Sequence, residues 1–291
     1  MTNMMPAPYV ALESPRVELY LMDCLNGMAL LDEGGISVVV TSPPYNIGVN
    51  YRTYEDTRAQ AEYFDWIRHL GSAIHRVLEP EGSFFLNVGS RPTDPWLAWD
   101  VASQLRRTFV LQNAIQWVKS IAVEGTSVGH YKPITSPRFL HDCHEYIFHF
   151  TKTGNVSLDR LAIGVPYQDK SNIGRWRVAE RDLRCRGNTW FIPYRTIRDR
   201  NSQRPHPSTF PVQLPEMCIR LHGLSNVRRV LDPFMGLGST AVAAQRLGVA
   251  CIGFDIDRYY LDVAKSQLTA WVDDDHGTQL PLASLDEIPP S

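Results

Sequence analysis

Apolar positions along this chain fall into short β-branched runs that alternate with stretches of helical spacing. Residues 36–41, ISVVVT, are such a run, and they end abruptly in SPPYN, where two prolines remove backbone donors and forbid continued pairing. A buried strand feeding a rigid loop is predicted there. From Gln60 to Leu78 the apolar residues Phe64, Ile67, Ile74 and Val77 recur at helical spacing, and Pro80 and Gly82 stop the helix. SFFLNVG at 83–89 reads as a second buried strand, 96–105 as helical, 109–118 as extended, and EYIFHFT at 145–151 as a further strand.

Between about Asp159 and Pro207 no long apolar period survives, and Gly, Pro, Asn and Arg punctuate the segment throughout. Periodicity returns in a helix from Phe210 to His222 closed by Gly223. The strand RRVLD, the turn PFMGLG, a helix from Ser239 and the strand ACIGFD follow, a complete βαβ unit. Such units cross over right-handedly and carry ligand loops at the carboxyl ends of their strands. The expected fold is therefore α/β: an open, mostly parallel sheet with an inserted loop-rich lobe. The expected segments are 1–158, an insertion at 159–205, 206–272, and an acidic, disordered tail at 273–291 containing Asp273, Asp274 and Asp275.

Composition narrows the class. The 291 residues are 44% hydrophobic and 21% charged, which excludes a disordered or fibrous chain. The net charge of -2 means that attraction to a polyanion must come from local clustering. Arg160 to Arg204 holds eleven Lys or Arg against four Asp or Glu, which predicts a phosphate-contacting surface. Arg175, Arg177, Arg184, Arg186, Arg195 and Arg198, interleaved with Trp176, Trp190 and Tyr194, are its candidates for gripping a backbone and reading guanine edges. Five widely spaced cysteines without a Cys-x-x-Cys pair point to a reducing cytoplasm. The first residues lack a signal-peptide pattern and no apolar run is long enough to span a bilayer, so neither secretion nor a membrane partner is expected. His141, Cys143 and His144 lie close together, yet near a strand they point to opposite faces, and no metal site is expected.

Two loops carry the chemistry. In VLDPFMGLGST a strand ends at Asp232, and Gly236 and Gly238 let the backbone turn tightly against a ligand before the helix at Ser239. The Lys and hydroxyl pair of a phosphate-cradling P-loop is missing. Asp255, 17 residues after Gly238 and at the end of the following strand, is placed to accept both hydroxyls of a ribose. Phe234 could lie against a cationic centre. The other loop, TSPPYN at 41–46, suits methylation of an aromatic exocyclic amine, a poor nucleophile. Acceptors for its two hydrogens, the Ser42 hydroxyl and the Pro43 carbonyl, localise the lone pair, while Pro43 and Pro44 keep them preorganised. Tyr45 can stack on a base turned out of its duplex.

These residues resemble the amino-group DNA methyltransferases that use S-adenosylmethionine, in the β subgroup, where the catalytic motif precedes the cofactor motif. TSPPYN is similar to the catalytic motif, LDPFMGLGST at 231–240 to the methionine-side cofactor motif, and GFDID at 253–257 to the ribose motif. PRFLHDCHEYIFHFTKTG at 137–154 also matches. The resemblance implies a Rossmann-like methyltransferase sheet. It makes 1–158 the catalytic half, 159–205 the target-recognition insertion and 206–272 the cofactor half. It assigns Asp232, Phe234, Gly236, Gly238, Ser239 and Asp255 to the cofactor. From LYLMDCLNGM at 19–28 it adds Asp23, on the adenine amino group, and from HPSTFP at 206–211 it adds Phe210, over the methionine moiety. It implies double-stranded DNA as substrate, and suggests a homodimer and a separately acting restriction endonuclease as companions.

Within that family a serine at position 42 is usual among cytosine-N4 enzymes, whereas adenine-N6 enzymes more often carry aspartate or asparagine, so cytosine N4 is the expected target. An adenine-N6 enzyme and an inactive DNA-binding partner of the same fold are the alternatives. None of the cysteines sits in a proline-cysteine loop of the kind a ring-carbon methyltransferase would need for covalent attack.

Overall fold

The computed structural model describes residues 4–129, 136–175, 181–193 and 209–273. β1 (Val10–Glu13) and β2 (Arg16–Leu21) form an antiparallel hairpin. α1 (Cys24–Ala29) follows, its first turn capped by the Asp23 carboxylate, which accepts from the N–H groups of Leu25 and Asn26. Then come β3 (Ile36–Thr41), α2 (Gln60–Val77), β4 (Leu78–Val88), α3 (Leu97–Gln104), β5 (Val110–Val118) and a small hairpin of β6 (Ser120–Val123) and β7 (Thr126–Gly129). β8 (His144–Thr151), β9 (Thr189–Phe191), α4 (Gln213–His222), β10 (Arg229–Asp232), α5 (Ser239–Arg246), β11 (Ala250–Asp255) and α6 (Arg258–Asp273) complete the described chain.

Nine of these strands make one sheet in the order β1, β2, β11, β10, β3, β4, β8, β5, β9. β2, β11, β10, β3 and β4 run parallel, and only β1 and β8 oppose their neighbours. Every residue of β3 is buried, as expected for a central parallel strand covered on both faces. The alternation of strand side chains sorts the core into two clusters. Val39, Phe84 and Leu86 face α1, α2 and α3, while Val38, Val40 and Phe85 face α4, α5 and α6.

The chain winds outward from β3 in one direction through α2 to β4, and from β10 in the other through α5 to β11. The seam between β3 and β10, registered by Val38 on Val230 and Val39 on Leu231, is therefore the point where strand order reverses. Loops leaving the carboxyl ends of the two strands diverge there and open a crevice.

Three differences from the sequence pattern have physical reasons. The helix expected from Phe210 begins at Gln213, because Pro211 disfavours helical backbone at Phe210, which lines the crevice. α6 escaped notice because its apolar positions are interrupted by exposed polar residues. Within 159–205, Thr189–Phe191 is not loop: it pairs parallel to β5 and places Trp190 in the core at 1% exposure. The tail from 274 onward lies outside the described residues. Among the described residues no helix is long and apolar enough to cross a membrane.

Gly27 provides a test of this packing. Alanine would favour the α1 backbone by about 1 kcal/mol, but a Cβ at this position would lie 2.4 Å from the Phe254 ring. Gly27→Ala is expected to destabilise the fold by about 1–3 kcal/mol and lower the urea midpoint. An unchanged or raised midpoint would contradict the packing described.

Candidate active site

A cavity of about 220 Å³ lies over the carboxyl ends of β2, β11, β10 and β3. Asp23 lines it from the end of β2, Asp255 from the end of β11, Phe234 and Gly236 from the turn after β10, and Ser42 and Pro44 from the loop after β3. The two sequence motifs, some 190 residues apart in the chain, thus share one space.

What holds them together is Asp232. Its carboxylate is sealed at 1% exposure beneath the seam, accepting from Thr41 Oγ1 at 2.6 Å, Thr240 Oγ1 at 2.6 Å and the Phe234 N–H at 3.0 Å. Burial pushes its pKa up to about 6 against the pull of these three donors. The expectation of a cofactor contact is corrected here: Asp232 does not line the cavity but ties β3, the glycine turn and α5 to β10.

The glycine turn divides its labour. Gly236, at φ +51°, lines the cavity and donates its N–H to Asp255 Oδ2 at 2.7 Å. Gly238, at φ +89°, does not line the cavity; a Cβ there would lie 2.8 Å from that of Ala264, so this glycine lets α5 pack on α6. Asp255 Oδ1 accepts from the Asp257 N–H at 2.8 Å, and burial pushes its pKa up to about 6. Ser239 lines the cavity and donates to the Phe210 carbonyl at 2.8 Å, which brings Phe210 to the same wall.

The loop after Ser42 supplies the opposite wall, which sequence reasoning did not find. Asn46, at φ +59°, reverses the chain, and its side-chain amide bonds both backbone groups of Arg58. Asp56, 2% exposed, accepts from the N–H groups of Asn46, Ile47 and Val49. This clasp folds Tyr51, Tyr54 and Arg58 onto the cavity, where Trp66 of α2 meets Phe234 edge-on at 5.5 Å. The Arg58 guanidinium lies over both Trp66 and Tyr54, 5.2 Å from each ring centre.

Ser42 Oγ lies 2.8 Å from the Tyr45 hydroxyl. The expectation that Tyr45 stacks on an extruded base meets a ring only 7% exposed. In the structure this residue turns its hydroxyl inward, to Asn87 on β4 and to Glu145 at the head of β8. Glu145 in turn pairs with Lys119 at 3.0 Å. The signals for these residues were faint: an asparagine inside the apolar run FFLNV, and a glutamate opening the strand EYIFHFT. Pro43 is buried, and Tyr63 of α2 donates to the Pro44 carbonyl at 2.9 Å, which fixes the turn.

Of the basic candidates, Arg175 and Arg184 are exposed. Arg186 is half-buried, its Nε donates to the Ile163 carbonyl at 2.9 Å, and burial lowers its pKa. Trp190 is corrected: it is buried in the core, its indole N–H turned to the Gly187 carbonyl. Arg177, Arg195, Arg198, Trp176 and Tyr194 lie outside the described residues. Among the described residues no group of three or more His, Cys, Asp or Glu could hold a metal ion.

The cavity fits S-adenosylmethionine by its donor set. It combines two carboxylates at strand ends, a backbone turn that only glycine makes comfortably, and aromatic faces on Phe234 and Trp66. The Tyr54 hydroxyl is buried on this wall without a hydrogen-bond partner among the described residues, a group that a polar ligand would satisfy.

The chain is similar to several known proteins. The type II methyltransferase M.ScaI of Streptomyces caespitosus is 28% identical over 281 residues, covering 89% of this chain and 83% of that protein. The solved PvuII DNA methyltransferase (cytosine-N4-specific) superposes with a TM-score of 0.65 at 20% identity, over 91% of this chain and 89% of that one. The M1.HpyAVI–SAM complex does so with a TM-score of 0.53 at 20% identity, over 87% and 99%. These two likenesses establish the Rossmann-like methyltransferase fold. A family model for DNA methylases matches residues 36–266. Because that match runs from the first residue of β3 into α6, it takes in both sides of the seam and all that lies between them, and this chain belongs to the DNA methylase family.

Proposed function

We propose that this DNA methylase transfers the methyl group of S-adenosylmethionine to the exocyclic N4 amine of a cytosine turned out of double-stranded DNA. The observation that carries the reading is Ser42, which lines the same cavity as Asp255 and Gly236 and offers a hydroxyl where an amine would enter. Serine at this place favours cytosine over adenine by resemblance. The cytosine-N4 specificity of the PvuII enzyme and the type II naming of M.ScaI support the target and a restriction-modification setting with a separate endonuclease.

Bound in the cavity, S-adenosylmethionine supplies a methyl group made electrophilic by a sulfonium. Asp255 would accept from the ribose hydroxyls while still holding the Gly236 N–H, since each carboxylate oxygen has two lone pairs. Asp23 would hold the adenine amine, Phe234 the positive sulfur and Phe210 the methionine end, all three lining the cavity. Ser42 and the Pro43 carbonyl accept the two hydrogens of the target amine, which draws its lone pair out of the ring and toward the methyl carbon. The amine cannot reach Ser42 from within a stacked duplex, so the base must turn out. Arg175 and Arg184, exposed on the basic segment, contact phosphates, and Arg177, Arg195 and Arg198 join them on the strength of the sequence.

The reading is tested by incubating the protein with methyl-labelled S-adenosylmethionine and mixed-sequence duplex DNA, then identifying the labelled nucleoside by mass spectrometry. Label in N4-methylcytosine is expected. Label in N6-methyladenine would overturn the choice of base, and no label in DNA would overturn the function.

Substitutions should separate the two halves of the site. Ser42→Ala is expected to lower kcat by about a hundredfold with cofactor affinity nearly intact, whereas Asp255→Ala lowers that affinity about tenfold or more. Calorimetry and single-turnover assays on both variants would contradict the assignment if the two effects were exchanged.

Acid should weaken the cofactor. Ribose hydroxyls donate to the ionised Asp255 carboxylate, whose pKa burial raises to about 6. Cofactor affinity should therefore fall as pH is lowered through about 6, and Asp255→Asn should reduce that dependence, leaving only the part due to Asp232 beneath the seam. A flat wild-type profile of Kd against pH would contradict it.

A further inference from the structure

We propose that Glu145 is a positioning residue that makes Ser42 a hydrogen-bond acceptor toward the target amine. The inference rests on the function proposed above and adds to it the device that gives the Ser42 hydroxyl a direction.

A serine hydroxyl carries one hydrogen and two lone pairs, and its neighbours decide which it presents. If Ser42 directs its hydrogen into the cavity, it opposes the amine; if it directs a lone pair there, it holds an amine hydrogen. Ser42 Oγ and the Tyr45 hydroxyl are 2.8 Å apart, and either could donate. The Tyr45 oxygen also lies 3.2 Å from Glu145 Oε2 and 3.4 Å from both the Asn87 backbone carbonyl and its Oδ1. All three of these atoms can only accept. The Asn87 amide is oriented by its own donations, from Nδ2 to Glu145 Oε2 at 3.0 Å and to the Tyr146 carbonyl at 3.1 Å, so it offers its oxygen to Tyr45. The Tyr45 hydrogen is drawn inward, to the nearest and only charged acceptor of the three. Ser42 then donates to Tyr45, and its lone pairs remain for the cavity it lines.

The sheet delivers Glu145 to this point by reversing one strand. β8 runs antiparallel to β4 with Tyr146 opposite Val88, so the head of β8 lies at the edge where the parallel strands end. Glu145 is kept ionised there. Burial alone would raise its pKa, but Lys119, 3.0 Å from Oε1, and the donors on Asn87 and Tyr45 outweigh that and hold it below the usual carboxylate range. Gly89 leaves the room: a Cβ there would lie 3.0 Å from Glu145 Cγ.

The test is Glu145→Gln. Lys119 donates to Oε1, so the new carbonyl takes that side and the amide NH2 faces Tyr45, which reverses the hydroxyl chain. A fall in kcat of at least about tenfold is expected, with KM for S-adenosylmethionine within about twofold of wild type. In a Tyr45→Phe background, where the link is already cut, adding Glu145→Gln should change kcat by less than about twofold. Glu145→Asp, which keeps the charge, should retain more activity than either.

Wild-type kcat in Glu145→Gln, or losses that simply multiply in the double variant, would overturn the inference. Should Glu145→Gln not bind cofactor, Glu145→Asp decides: activity above that of Tyr45→Phe supports the role, and equal or lower activity removes it. A wild-type protein that labels no DNA base would instead remove the proposed function itself.

Discussion

Beneath the crevice, the carboxylate of Asp232 accepts hydrogen bonds from Thr41, Thr240 and the Phe234 backbone while almost wholly withdrawn from solvent. A buried carboxylate is costly unless its lone pairs are filled, and three donors from three different elements fill these. The consequence is geometric. Thr41 is the residue before Ser42, Phe234 is two before Gly236, and Thr240 lies in the first turn of α5, so one acidic side chain sets the proline loop, the glycine turn and the helix behind it relative to one another. The strands it bridges come from opposite ends of the chain, and the order of the motifs in sequence matters less than their meeting at this seam.

The cavity is lined from one edge of the sheet. Parallel strands put the ends of β2, β11, β10 and β3 beside one another, with Asp23, Asp255, Gly236 and Ser42 at their tips. Past β4 the pattern changes: β8 runs backward, and its first residues rather than its last lie at that edge. A single reversed strand thereby brings Glu145 beside the Tyr45 hydroxyl, next to Asn87 from the end of β4. The Asp56 clasp performs the complementary task in front, laying the tyrosines of the loop over the cavity.

Much of this was legible in the chain. ISVVVT and FFLNV announce strands buried on both faces, the proline pair announces the loop, and the glycines announce the tight turn that meets Asp255, because each signal is local. What could not be read depends on convergence. Asn87, Lys119 and Glu145 come from different parts of the chain and meet only when the sheet closes. Asp232 and Asp255 end consecutive strands in similar surroundings, yet one is sealed and the other faces the cavity, a difference of position that sequence spacing does not carry. Trp190 and Arg186 stand in an arginine-rich stretch that reads as a nucleic-acid surface, but one packs an edge strand and the other braces a backbone carbonyl. Composition describes a segment's average, not which way each side chain turns.

The claim on which the rest depends is that cofactor and catalytic hydroxyl share one cavity across the β3–β10 seam. A crystal structure of the protein with S-adenosylmethionine bound tests it most directly. The expected result has the ribose hydroxyls on Asp255, the adenine near Asp23 and the sulfonium methyl turned toward Ser42. A cofactor whose methyl points away from Ser42, or one held outside this cavity, would contradict the account.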